Sequence, residues 1–229
     1  MNSLNPARTS NVDAFYGSEA KIRRAAQSRE PEVLTDIYHE QTNIVIWQRE
    51  LSATLKNSVS TFLDSNSSFQ TSMTVTPQSA LSSISAALGD TTQLELSENI
   101  AELVDMFCCL FELKRAGLRL ATLDRAMCPK FHADKIPCRL VTTYQGIATE
   151  WLPHQAINRE KLGLGSKGKP DNQSGLYGDQ HDIQQLKCGD VALLKGELWE
   201  GNENAGLVHR SPALPEGQRR MLLTLDFCY

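Results

Sequence analysis

The chain has 229 residues, a formal net charge of −4, and 41% hydrophobic against 22% charged residues, which supports a folded core and excludes a wholly disordered chain. A sequence pI near 5.8 gives no overall attraction for nucleic acid or an anionic membrane. No run approaches the roughly 18 apolar residues of a membrane-spanning helix. The first thirty residues lack the apolar core of a secretory signal. The six cysteines have no CxxC spacing, so they read as reduced thiols and the expected compartment is the cytoplasm.

In chain order, residues 1–30 are polar and aperiodic, which predicts a poorly ordered arm ahead of one domain over 31–229. NIVIW at 43–47 predicts a strand. Leu51, Leu55, Val59, Phe62 and Leu63 follow at helical spacing. Residues 64–78 predict a loop and an extended segment, and 78–88 a short helix closed by Gly89. A longer helix is expected from an N-cap at Ser97 to Arg115, with Gly117 as its stop.

Beyond Gly117 the period changes to two, in 118–123, 139–144 and 219–227, with shorter extended segments at 131–134, 191–194 and 207–211. The expected class is α+β: helical support over about 31–116 for an antiparallel sandwich or barrel over about 117–229. A Gly- and Lys-rich loop at 159–181 interrupts that half as a lid or a tolerated insertion. It satisfies GxGxxG and GxxxxGK on paper. Pro170, however, occupies the Ser/Thr position, and DNQSG would not propagate the helix that a phosphate loop needs.

The chemistry-bearing segment is CPKFHAD at 128–134. On a strand, His132 and Asp134 project to one face. His209, in LVHRSP, would supply an imidazole from a neighbouring strand. Two imidazoles and a carboxylate on one face form the facial triad of non-haem Fe(II) sites, with positions left open for a chelating co-substrate and dioxygen. A surface turn, an Asx cap and a core histidine are the ordinary alternatives for these three residues. Ten residues after His209, Arg219 heads the face carrying Met221, Leu223, Leu225 and Phe227, where a guanidinium could grip a carboxylate with two parallel hydrogen bonds. Arg220 is the choice if the strand slips by one residue, and an exposed strand-end arginine is the alternative.

HxD, a distal His and an Arg ten residues on resemble the double-stranded β-helix Fe(II)/2-oxoglutarate dioxygenases. CPKFHADKIPCRLVTTYQGIATEWL, GDVALLKGELW and LVHRSP further resemble a bacterial domain family of unknown function. The first resemblance implies N-terminal helices bracing a C-terminal jelly-roll or cupin-like core. It implies His132, Asp134 and His209 as metal ligands, Arg219 and Tyr144 on the 2-oxoglutarate carboxylate, and Arg139 and Arg210 as substrate contacts. The implied cofactors are Fe(II) and 2-oxoglutarate, the reaction is hydroxylation of a small molecule or side chain, and no nucleic-acid or membrane partner is implied. Two readings compete: a zinc or other cupin-like metalloenzyme, and a non-catalytic metal-binding or sensing protein, with Cys128 near enough in sequence to join a zinc site.

Overall fold

The computed structural model describes residues 21–89 and 93–228. Its elements are β1 (Arg24–Ser28), a 3-10 segment (Pro31–Tyr38), β2 (Thr42–Trp47), α1 (Ala53–Ser65), β3 (Gln70–Val75), α2 (Pro77–Leu88), α3 (Leu94–Leu110) and β4 (Ala116–Leu123). There follow β5 (His132–Ala133), β6 (Cys138–Gln145), β7 (Glu150–Leu152), α4 (Asp171–Ser174), β8 (Gln184–Gln185), β9 (Val191–Lys195), β10 (Val208–Arg210) and β11 (Arg220–Phe227). Most of the expected arm, residues 1–20, lies outside the described residues. Its last part differs from expectation, because Arg24–Ser28 pair in parallel with Thr42–Trp47.

Local chemistry sets the helix ends. Ser52 caps α1 by accepting from the Leu55 amide, and Thr76 with Ser79 forms a capping box on α2. Gly89, at φ 75°, closes α2. In α3 two expectations fail. The helix starts at Leu94, so Ser97 is a buried interior residue rather than the cap. It stops where Glu112 turns left-handed, at φ 53°, while Gly117 lies within β4 opposite Asp226.

Seven strands form one sheet in the order β1-β2-β9-β6-β11-β4-β3, and four form a second in the order β5-β10-β7-β8. Both faces of the large sheet are covered, which explains its near-continuous apolar strands. On one face, Val45, Leu140, Tyr144, Leu193, Leu223 and Leu225 pack with Leu55, Phe62, Ile84, Leu103 and Phe107 of the helices. On the other, Ile44, Ile46, Val141, Ala192, Leu194 and Leu222 meet Trp151 and Leu207 of the small sheet's side. The helices and the small sheet therefore sandwich the large one. β1, β2 and β3 belong to the same sheet as β4, β6, β9 and β11, so the N-terminal half supplies strands as well as helices.

The long loop docks on the outer face of the small sheet. Leu176 packs with Phe131, Leu152 and Val208, flanked by Ile157, Leu162, Tyr177 and Ile183. The Asp171 carboxylate accepts from the Phe131 amide at 2.9 Å. The loop thus buttresses the strand that carries His132. Leu176→Ala should destabilise the protein by about 2–5 kcal/mol, as for other buried Leu→Ala changes. Thermal or urea unfolding measures this, and an unchanged midpoint would contradict the docking.

Candidate metal centre

β5 and β10 pair antiparallel with His132 directly opposite His209, so the register alone brings the two imidazoles to one place, with ring centroids 4.6 Å apart. Asp134, just past β5, closes the triangle: Oδ1 lies 3.5 Å from His132 Nε2, and Oδ2 lies 3.6 Å from His209 Nε2. One ligand atom from each residue falls within 4.8 Å of the others. The expected convergence of His132, Asp134 and His209 is therefore present. Cys128 lines the adjacent cavity but is not part of that cluster.

The histidines are oriented from behind. His132 Nδ1 lies 3.0 Å from the Lys130 carbonyl, and His209 Nδ1 3.3 Å from that of Leu207. A carbonyl only accepts, so each Nδ1 carries a proton and each Nε2 faces the shared point, where His132 donates to Asp134 until a metal takes that proton's place. Burial pushes His209 down to about 4 despite the opposing Asp134 charge, keeping it a neutral ligand at physiological pH. Burial would raise Asp134, but the hydrogen bond from His132 and the charge of Arg139 outweigh it and hold the carboxyl at about 2. The donor set suits a divalent first-row metal ion.

Arg139, on β6, supports the carboxylate. Nη1 donates to Asp134 Oδ2 at 2.7 Å, while Nε and Nη2 donate to the two oxygens of Asp226, on β11, at 2.7 and 2.9 Å. Arg210 is equally committed: Nε donates to Glu150 at 2.6 Å, Nη1 to Asp171 at 3.3 Å, and its guanidinium lies over the Phe131 ring. Both arginines expected at a substrate carboxylate are thus neutralised by the protein's own acids.

The arginine of β11 requires a correction. Arg219 precedes the strand and turns away, donating to the Leu63 carbonyl and pairing with Asp64. Arg220 is the inward residue, 1% exposed. The face that carries Met221, Leu223 and Leu225 packs on the helices, not on the small-sheet side. Tyr144 is corrected for the same reason: it lies on the helical side and its hydroxyl meets Asn99 Oδ1 at 2.9 Å.

Arg220 Nη2 donates to Thr143 Oγ1 at 3.2 Å and to Thr149 Oγ1 at 2.7 Å, whereas Nε is buried without a partner. Among the described residues no carboxylate pairs with it, and burial alone pulls it down to about 10. A buried cation held only by hydroxyls leaves an uncompensated charge that an incoming anion would satisfy. Thr149 also walls a narrow cavity of about 50 Å³, lined by His132, His209, Val141, Leu194 and Leu222. Gly146 makes this approach possible: at φ 90° it passes β11 so closely that a Cβ would lie 2.5 Å from the Arg219 carbonyl oxygen. Thr143, Thr149 and Asp226 carry no local signal in the sequence, since each is functional only through a partner on another strand.

The family model described as "Protein of unknown function (DUF1826)" matches residues 28–226. No curated protein sequence matches significantly. Among solved structures, dioxygenase for auxin oxidation 1 from Arabidopsis thaliana, in a 2-oxoglutarate complex, is similar at 11% identity and TM-score 0.47, over 90% of this chain and 92% of that one. A prolyl-4-hydroxylase from Pseudomonas putida is similar at 12% identity and TM-score 0.43, over 86% and 96%. HygX from Streptomyces hygroscopicus, with nickel and 2-oxoglutarate bound, is similar at 13% identity and TM-score 0.42, over 86% of each chain.

Proposed function

We propose that this chain, which belongs to the DUF1826 family, is an Fe(II)- and 2-oxoglutarate-dependent oxygenase on a double-stranded β-helix core. The observation that carries this reading is a His-Asp-His cluster whose two imidazoles line one cavity, with a buried, unneutralised arginine bonded to Thr149 in that cavity's wall. In this reading His132, Asp134 and His209 hold the metal, and Arg220, backed by Thr143 and Thr149, holds the distal carboxylate of 2-oxoglutarate. When bound, the pair supplies oxidation of a C–H bond by dioxygen, with 2-oxoglutarate going to succinate and carbon dioxide.

The chain's own residues do the rest. Carbonyl-anchored Nδ1 protons keep both imidazoles in the ligating tautomer, and Arg139 fixes the free oxygen of Asp134. Val141, Leu194 and Leu222 give an apolar wall that limits water at the reacting centre. With Arg139 and Arg210 already neutralised, the wall favours an uncharged reacting group on a small molecule or side chain. Among the described residues no helix is long and apolar enough to cross a membrane.

The test is stoichiometric. Protein reconstituted with Fe(II) in air should convert 2-oxoglutarate slowly to succinate even without substrate, and His209→Ala should not. Succinate formation equal in both would count against the assignment. Arg139→Gln should weaken metal binding by about 10- to 100-fold, the usual cost of losing an outer-shell partner. Arg139→Lys, which can still reach one carboxylate, should recover part of it. Unchanged affinity in Arg139→Gln would remove the supporting role.

A further inference from the structure

A second cleft, of about 230 Å³, opens where the β1–β2 edge of the large sheet meets the β7–β8 edge of the small one. Its lining includes Arg23, Arg24, His154, Gln155 and Gln184, with Trp151 as an apolar wall, and among the described residues contains no acidic side chain. Arg159 stands behind it, donating Nη2–H to the Gly206 carbonyl at 2.6 Å and meeting His154 Nδ1 at 3.3 Å.

The cations here rest on neutral groups. Arg23, 4% exposed, donates to Asn202 Oδ1 and to the carbonyls of Ile22 and Gly201. Lys195, 2% exposed, donates to the His39 carbonyl and lies over the Trp199 ring. Arg159 Nε and Nη1 are buried with no partner. The carboxylates that influence this group, Glu40 and Glu203 for Arg23 and Glu197 for Arg159, act at a distance. Glu203 is bonded to Lys21. Among the described residues, no carboxylate lies within salt-bridge distance of Arg23, Arg159 or Lys195. Clustered buried cations without counter-ions are costly unless an anion joins them, and guanidinium groups match planar or tetrahedral oxyanions best.

We propose that this cleft is a binding site for a small multivalent oxyanion, a phosphate or dicarboxylate group, held by Arg23, Arg24 and His154 with Arg159 behind them. It is separate from the metal centre. None of the cleft's lining residues lines the metal-side cavity; Trp151, the cleft's apolar wall, is the cross-strand neighbour of His209.

Calorimetric titration of the full chain with inorganic phosphate, and separately with malonate, at constant ionic strength tests it. At least one of the two should bind saturably at a site that survives Arg220→Gln, which sets it apart from the arginine beside the metal centre. Phosphate the tighter would indicate a phosphorylated ligand, and malonate the tighter a carboxylate one; either upholds the site. Arg24 is exposed, so Arg24→Gln leaves the fold intact and should weaken binding about tenfold, the worth of one charged hydrogen bond. Arg159→Gln should do the same, and Arg220→Gln should leave the affinity unchanged. Absence of saturable binding by either anion, indifference to Arg24→Gln, or loss of binding in Arg220→Gln would each overturn the proposal.

Discussion

Arg220→Met should lose 2-oxoglutarate binding while making the metal-free protein more stable. The guanidinium is 1% exposed, and among the described residues its Nε has no partner and no acid neutralises it. A lone buried charge opposes folding, so an apolar side chain of similar length should raise stability by about 1 kcal/mol or more. The same charge would supply the two-point grip on a carboxylate. Its loss should raise the 2-oxoglutarate Kd by roughly 10- to 100-fold, as expected for charge-assisted hydrogen bonds. Thermal unfolding and a binding titration on one preparation read both effects. A destabilised variant with normal 2-oxoglutarate affinity would show that Arg220 is a structural residue.

The second large effect concerns the ligands. His209→Ala, His132→Ala or Asp134→Ala should each weaken divalent metal binding by more than about 100-fold, beyond what losing an outer-shell partner produces. The three side chains converge from β5, the residue after it, and β10. Removing one leaves two donors, too few to complete the facial site. The strands should persist, because Val208 and Leu152 still pack with Phe131 and Leu176 beneath them. Metal content after gel filtration, with circular dichroism as the fold control, measures this. Retention of one metal per chain in all three variants would place the metal elsewhere.

The His-Asp-His cluster is legible because two of its members obey a local rule: residues two apart on an extended segment share a face. Their partner His209 sits in an apolar run that reads as a strand. The arginine was legible in type and nearly in position. Its face was not, because β11 is apolar on both sides: Met221, Leu223 and Leu225 meet the helices, while Leu222 meets the small sheet. Parity relates residues within a strand but does not say which side faces the helices. Tyr144 failed with it for that reason.

The edge strand β1 (RAAQS) is obscured by composition, and β3 (QTSMTV) reads only as an unplaced extended segment. Exposed on much of their length, they need no apolar run, and they are specified by backbone pairing with β2 and β4. The carboxylate partners of Arg139 and Arg210 come from positions up to 87 residues distant, which no spacing rule reveals. The docking of Leu176 onto Phe131 is equally non-local. Its few apolar residues were visible in the sequence, but their acceptor surface exists only after β5, β7 and β10 have assembled.

The most direct measurement is an anaerobic optical titration of the Fe(II)-loaded protein with 2-oxoglutarate. Wild-type protein should develop a weak visible charge-transfer band that saturates at one equivalent of each. The band should be absent in His209→Ala and shifted to much higher 2-oxoglutarate concentration in Arg220→Met. Tightly held zinc that Fe(II) does not replace, with no band at any 2-oxoglutarate concentration, would contradict the assignment.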